Sequence, residues 1–369
     1  MKIAFSARGL GTSYGGVRQY MRGFVPALAR QIKNDELFVF YNNEKFLGLA
    51  KGCTEIVIKE NNKLLWDFVL FPRMLRKIKF DAAIFSIDVM PFFAGCPGYI
   101  IHYDLAYFDK VLKPYRFWDT LYMRAMIPIS DRRAKAIFTI SEYTKKDCVK
   151  FCDTNPDKIT VIYAAANEEF KPIKDTAILE KVRRKFKLPE KFIFYAGSLS
   201  PRKNMITLIR AFSQIISKIP HKLVLTVPES WKDSMVYKTI DELNIHDSII
   251  NLGFIEQESM PALYNLADIC VYPSLYEGFG LPVLEAMHCG CPVVASNTSS
   301  IPEVAGDAAV LVDPLDTNAI AKAICRVLTD SQLREKLISS GFQQAKKFTW
   351  DRTAGIMLDV IREKYHNPL

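Results

Sequence analysis

Apolar positions along the chain fall mostly in short unbroken runs, separated by stretches in which apolar residues recur every three or four positions. Runs at 2–7, 37–41, 55–58, 82–86, 99–102, 136–140 and 159–163 read as β-strands. Their near-continuous apolar character, with helical pattern between most of them, predicts a largely parallel sheet covered on both faces. A second series begins at 192–196 and continues at 223–227, 249–252 and 268–272, with another strand opening at Cys291. Helical spacing is strong at 17–31, from Met205 onward, at 260–267 and at 351–365. The pattern therefore describes an α/β protein in which one motif is started twice.

Both starts are strand, loop, helix. The first loop, 8–16, is rich in glycine but does not meet G-x-G-x-x-G: Gly9 and Gly11 are followed by Thr12, Ser13 and Tyr14 before Gly15 and Gly16. A nicotinamide-dependent oxidoreductase is disfavoured on that ground. Gly15 and Gly16 either let a ligand approach the backbone closely or serve a turn that needs positive φ. The second loop, 197–204, carries Arg202 and Lys203 and ends on Asn204, read as the cap of the next helix. Length agrees with two domains. The charged stretch 166–190, with Pro172 and Pro189, reads as the linker between residues 1–170 and 188–349.

Charge sharpens the division. The net charge is +9, yet residues 1–187 hold 32 Lys and Arg against 20 Asp and Glu, while 188–369 hold 17 against 20. A basic first half fits an anionic partner such as a membrane surface, a lipid-linked phosphate or nucleic acid, or is simply a solvated surface. Between Lys110 and Lys135, Trp118, Tyr122 and Met126 fall on one helical face among several arginines, the look of an interfacial helix or of a core-facing helix with a basic exterior. The eight cysteines follow no zinc-binding spacing, so buried thiols in a reducing compartment are expected. No secretory signal or membrane span is apparent, and the expected location is cytoplasmic, with peripheral attachment at the inner face of the membrane open.

The densest candidate chemistry lies in 272–287, Tyr-Pro-Ser-Leu-Tyr-Glu-Gly-Phe-Gly-Leu-Pro-Val-Leu-Glu-Ala-Met. Glu277 precedes a helix whose first turn holds Pro282, and Glu285 follows about one turn into it. Gly278 and Gly280 keep side chains away from the helix N-terminus, where exposed amides and the dipole suit a phosphate or sugar hydroxyls. Arg202 and Lys203, at a strand-to-helix loop, suit a diphosphate. His102 ends a strand, where it is either a structural histidine or a site group. No Asp-x-Asp triplet occurs, no metal site is read from the cleft-facing loops, and a metal-independent reaction without cofactor is expected.

The stretch from Glu277 to Glu285 resembles the Glu-x7-Glu signature of retaining nucleotide-sugar glycosyltransferases of family 4, and the likeness continues in Cys291-Pro-Val-Val-Ala-Ser296 and Ile301-Pro-Glu-Val-Ala-Gly-Asp-Ala-Ala309. The resemblance implies a GT-B fold: two Rossmann-like domains facing a cleft, the first for the acceptor and the second for the nucleotide sugar, with residues 350–369 crossing back to the first. It assigns His102 to the donor-sugar site and Gly15 and Gly16 to the ligand-facing N-terminal loop. Arg202 and Lys203 would hold phosphates, and Phe254 and Ile255 would border the base. Glu277 would hold donor-sugar hydroxyls, Gly278, Phe279, Gly280 and Leu281 would offer amides, and Glu285 would bind the ribose. The implied activity is transfer of a hexose, mannose-like, to a saccharide or lipid-linked acceptor in surface glycan synthesis, with retention and without nucleic acid. An epimerase or phosphorylase on the same architecture, or a non-catalytic anion- or nucleic-acid-binding protein, are the alternatives. Two departures stand out: Tyr163-Ala-Ala-Ala-Asn167 replaces a Pro-Asn-Gly-Val-Asp run, and Pro228-Glu229 replaces a glycine after a strand.

Overall fold

A computed structural model describes residues 1–11, 15–112, 115–227 and 234–367, which form two compact units. The first comprises Met1–Asn167 and Phe348–Leu369, the second Glu168–Lys347. Thr12, Ser13, Tyr14, Pro228 and Glu229 lie outside the described residues, and with them part of the first glycine loop and the second departure.

In unit 1, seven parallel strands stand in the order β3-β2-β1-β4-β5-β6-β7. They are β1 (Lys2–Ser6), β2 (Glu36–Tyr41), β3 (Thr54–Val57), β4 (Ala82–Phe85), β5 (Gly98–His102), β6 (Ala136–Thr139) and β7 (Ile159–Val161). Every residue of β4, β5 and β6 is buried, as the unbroken apolar runs require. Helices α1 (Gly16–Gln31), α2 (Lys63–Leu65), α3 (Phe71–Ile78), α4 (Phe117–Arg133) and α5 (Glu142–Cys152) cover the sheet, and a wider π-turn at Trp66–Leu70 joins α2 to α3.

The final helix, Trp350–His366, belongs to this unit although some 180 residues intervene in sequence. Trp350 stacks edge-on against Tyr20 of α1, centroids 4.8 Å apart, and its indole N–H donates to Asn167 Oδ1 at 2.9 Å. Gly23 makes this approach possible: a Cβ there would stand 2.0 Å from Trp350 Nε1 and 2.1 Å from Asn167 Oδ1. At the other end, Asp35 accepts from the chain's N-terminal ammonium at 3.0 Å and from Arg362 at 2.9 Å.

Unit 2 repeats the plan with six parallel strands in the order β10-β9-β8-β11-β12-β13. These are β8 (Phe192–Ala196), β9 (Lys222–Thr226), β10 (Ile249–Asn251), β11 (Ile269–Tyr272), β12 (Val293–Ser296) and β13 (Val310–Val312). Among the flanking helices, α6 (Thr176–Lys185) lies inside the stretch read as a linker. That stretch is part of unit 2 from Glu168 onward, where Asn265 accepts from the amide of Ile173 and donates to Lys171 O. Charge and two prolines suggested a connector; a ten-residue helix with Asp175 capping Ala177 occupies it instead. Next come α7 (Met205–Ser213), α8 (Met235–Glu242), α9 (Met260–Leu266), α10 (Leu281–His288), α11 (Ile301–Ala305), α12 (Thr317–Thr329) and α13 (Ser331–Ala345).

In both units the order reverses beside the first strand, between β1 and β4 and between β8 and β11. Connections leave these neighbours in opposite directions, opening a crevice at their carboxyl ends where ligands of doubly wound sheets bind.

Candidate functional site

In unit 2 the loops after β8 and β11 meet at the reversal point. The loop after β8 passes through a short helix, Pro201–Lys203, and the loop after β11 runs from Pro273 to Gly280 before α10 begins. Leu275 N donates to Arg202 O at 2.7 Å, fastening one loop to the other. Asn204 adds a second tie. Its backbone is left-handed at φ 56°, its side chain makes no cap bond to the helix, and its amide donates to Pro273 O and Pro314 O at 3.0 and 2.7 Å. Asn204 thus holds the cap position of α7 as read, its carbonyl accepting from Leu208 N at 3.3 Å, while its side-chain amide reaches across the sheet edge.

Arg202, Lys203 and Glu277 form one cluster on this scaffold. Arg202 donates to Glu277 Oε2 at 2.9 Å and to Tyr276 O at 3.2 Å, while Lys203 Nζ reaches Glu277 Oε1 at 2.5 Å and also the Tyr272 hydroxyl. Tyr272 donates to the same Oε1 at 2.9 Å. Glu277 is buried, which by itself raises its pKa, but the charges of Lys203 and Arg202 outweigh burial and bring it down to about 2. With the carboxylate ionised between two cations, the cluster carries a net charge of about +1.

The glycine loop is held from the other side. Ser299 Oγ accepts from Glu277 N, and Ser300 Oγ donates to Glu277 O and Phe279 O. Gly280 sits at φ +107 where α10 starts, a backbone that favours glycine, and a Cβ there would also press on the Ile301 Cδ1 methyl at 2.5 Å. Glu285, on α10, is buried and accepts from Tyr264 at 3.1 Å. Burial dominates and pushes its pKa up to about 7, with the Tyr264 hydrogen bond opposing. The two glutamates thus differ: one is locked in its charged form, the other is poised near neutrality. After β10, Phe254 is 57% exposed while Ile255 is buried, so only the former presents a ring to solvent.

In unit 1, Gly15 has φ +128 and precedes α1, and among the described residues no atom lies within 4 Å of a Cβ built there or at Gly16. Gly15 is favoured there by its backbone.

His102 has the surroundings of the structural histidine that was one of its two readings. It ends β5 with no exposed surface, Nδ1 stands 3.0 Å from Asp88 Oδ1, and Nε2 stands 2.7 Å from Asp131 Oδ1. Burial lowers its pKa, but the two carboxylates raise it to about 10. The ring is an imidazolium between two acids, and neither nitrogen is presented to a ligand. Both nitrogens are taken up by these carboxylates at the end of β5. Asp131 further accepts from Thr154 at 2.6 Å. Among the described residues, His102, Asp131 and Cys148 are the group whose ligand atoms, all within 4.8 Å, could hold a metal. The direct His–Asp hydrogen bond and a thiol kept protonated by burial make it a hydrogen-bonded core instead.

The side chains that organise the site but carried no sequence signal of a role are Tyr272 and Tyr264. Ser299 and Ser300 did leave one, the Asn-Thr-Ser-Ser run after β12.

Residues 179–344 match the family model of glycosyl transferases group 1. Over 233 residues the chain is 35% identical to the O-antigen chain mannosyltransferase B of Escherichia coli, a stretch covering 62% of this chain and 61% of that relative. The fold is that of GT-B glycosyltransferases. Sucrose-phosphate synthase from Thermosynechococcus elongatus superposes with a TM-score of 0.79 at 21% identity, covering 100% of both chains. HepE from Anabaena, solved in complex with UDP-glucose, gives 0.77 at 18% identity and covers 98% of this chain and 100% of that one.

Proposed function

We propose that this chain, whose residues 179–344 match the family model of glycosyl transferases group 1, transfers a hexose from a nucleoside diphosphate sugar to a saccharide or lipid-linked acceptor. The relative named an O-antigen chain mannosyltransferase supports mannose as the sugar and surface polysaccharide as the product. The observation that carries the reading is the Arg202–Lys203–Glu277 cluster at the reversal point of unit 2.

A diphosphate entering beside this cluster meets two cations already oriented by one carboxylate, at the N-terminal end of α10. As the bond from sugar to phosphate lengthens, charge collects on the departing diphosphate. Arg202, Lys203 and the amides of Gly278 to Leu281 stabilise it there without reorganising. Glu277, ionised at any working pH, accepts from sugar hydroxyls and keeps the anomeric carbon in place. Glu285, further into the helix, accepts from the ribose, and Phe254 offers a face to the base. On this reading the cationic side chains and helix amides take the charge of the leaving group without a metal, and the sugar retains its anomeric configuration. Unit 1, with Gly15 and Gly16, serves the acceptor.

The test is a panel of nucleotide sugars screened for a rise in thermal midpoint, followed by transfer assays with the ligand that stabilises. One nucleotide sugar raising the midpoint, and nucleotide release that depends on acceptor, is the expected result. Release without acceptor would point to hydrolysis, and no stabilisation by any member would remove the reading.

A further inference from the structure

Helix α4 is apolar on two faces. Met123, Met126 and Ile127 are buried against the sheet, yet Phe117, Trp118 and Leu121 are 71%, 76% and 51% exposed. Trp118, Leu121, Ala125 and Ile129 follow the spacing of one outward stripe. A soluble surface helix has no use for such a stripe.

The stripe does not stand alone. Lys63 Nζ pairs with Asp119 Oδ1 at 2.7 Å, tying the start of α2 to the first turn of α4. On that segment Leu64 and Val69 are each 48% exposed. Phe68 meets Phe92 with centroids 6.2 Å apart, which adds Phe92 and the 80% exposed Phe93. Half of the large apolar side chains exposed among the described residues lie on these three segments, so they form a patch and are not scattered.

The border of the patch is basic. Arg73, Arg76 and Lys77 on α3 are exposed, and Phe71–Ile78 contains no acid. Of the acids nearby, Asp67 is matched by Arg8 at 2.8 Å and Asp119 by Lys63, while Asp81 accepts from the backbone amide of Lys2. At the edge beside Phe92 and Phe93 opens a cavity of about 680 Å³ lined also by Arg76, Arg133 and Lys135. Tryptophan and phenylalanine next to cations, with a cationic cavity of headgroup size, match the boundary of a lipid bilayer bearing negative charge.

We propose that this face of unit 1 docks on an anionic phospholipid bilayer, the aromatic and aliphatic side chains entering the acyl boundary and the cavity taking a lipid phosphate. It goes beyond the transfer reading, because none of its residues is assigned to donor or acceptor. Docking would hold the protein where lipid-linked substrates reside.

Sedimentation with vesicles of phosphatidylglycerol and phosphatidylcholine in equal parts, against pure phosphatidylcholine, tests it. The protein should partition onto the anionic vesicles, and rising salt should weaken this. Trp118→Glu with Leu121→Glu should lower the partition coefficient roughly tenfold or more, as should Arg76→Glu with Arg133→Glu. The first pair should keep the thermal midpoint of the parent, and both should keep its nucleotide-sugar stabilisation, whereas Arg133→Glu also removes hydrogen bonds to Pro91 O and Phe92 O, so Arg76→Glu alone, with an unchanged midpoint and lower partition, is the control. No partition of the parent protein, or equal partition of the variants, overturns the proposal. So does a dimer in light scattering that Trp118→Glu with Leu121→Glu dissolves, which would give the face to a second copy. Failure of the nucleotide-sugar screen, by contrast, would leave the vesicle result intact and strike only the transfer reading.

Discussion

At the scale of single residues, Glu277 and Glu285 share a sequence motif but inhabit opposite electrostatic environments. Glu277→Gln removes the carboxylate that Arg202 and Lys203 compensate, so both cations become available to a diphosphate. Affinity for free nucleoside diphosphate should hold or rise while transfer falls, a split that calorimetric titration and a transfer assay read in parallel. Glu285→Gln should instead weaken nucleotide binding, by about 1.5–3 kcal/mol if one hydrogen bond to a charged group is lost. Glu285 also sets a pH dependence. Its pKa is raised to about 7 from an unfolded value near 4.5, so between those values the folded state holds a proton that the unfolded state has released. Its contribution to stability is therefore full below pH 4.5 and is lost as pH rises toward 7, and Glu285→Gln should flatten that slope in urea titrations. A nucleotide sugar, whose diphosphate does not itself titrate there, should bind better as pH rises through 7 and Glu285 becomes a full acceptor. The same affinity at pH 6 and 8 would detach Glu285 from the ribose.

At the scale of elements, two arrangements carry unit 1. The first is the end of β5, where His102 bridges Asp88 from the segment after β4 and Asp131 from α4. His102→Ala leaves two buried carboxylates without their cation, and the expected loss is about 3–5 kcal/mol in chemical unfolding. Its raised pKa makes the stabilisation complete below pH 6.5, declining as pH rises above that value and gone once pH passes about 10. The second is the final helix. Trp350→Ala removes a large ring packed over α1 through Gly23 and should cost about 3–5 kcal/mol, with early proteolysis of the last helix as an independent sign of detachment.

For the molecule as a whole, the two units divide the charge as well as the chain. The basic half coincides closely with unit 1, and the Arg202–Lys203–Glu277 cluster belongs entirely to unit 2. On the proposed role of the cluster, cationic side chains and helix amides stabilise the leaving diphosphate, and transfer should then persist in EDTA at the untreated rate. Loss with recovery on adding Mg2+ or Mn2+ would show that these groups do not suffice.

The sequence by itself determined what depends on neighbours along the chain. Unbroken apolar runs fixed strand positions to within one or two residues, since a parallel sheet buries both faces and leaves no room for polar alternation. Glycine spacing marked the start of α10, where Gly280 must take a positive φ. Pairing across the sheet was settled only in three dimensions. Residues 202 and 277 are 75 positions apart, and nothing local says that one carboxylate would receive both cations. His102 looked like a site residue because strand ends face ligands. Its partners lie 14 and 29 residues away, and their burial turned it into part of the core. Exposure was equally hidden: Trp118 and Met126 share the apolar character expected of a packed helix, and only the fold turns one outward and the other in. Hydrophobicity is written in each residue, but whether water is removed from it is decided by what the rest of the chain brings alongside.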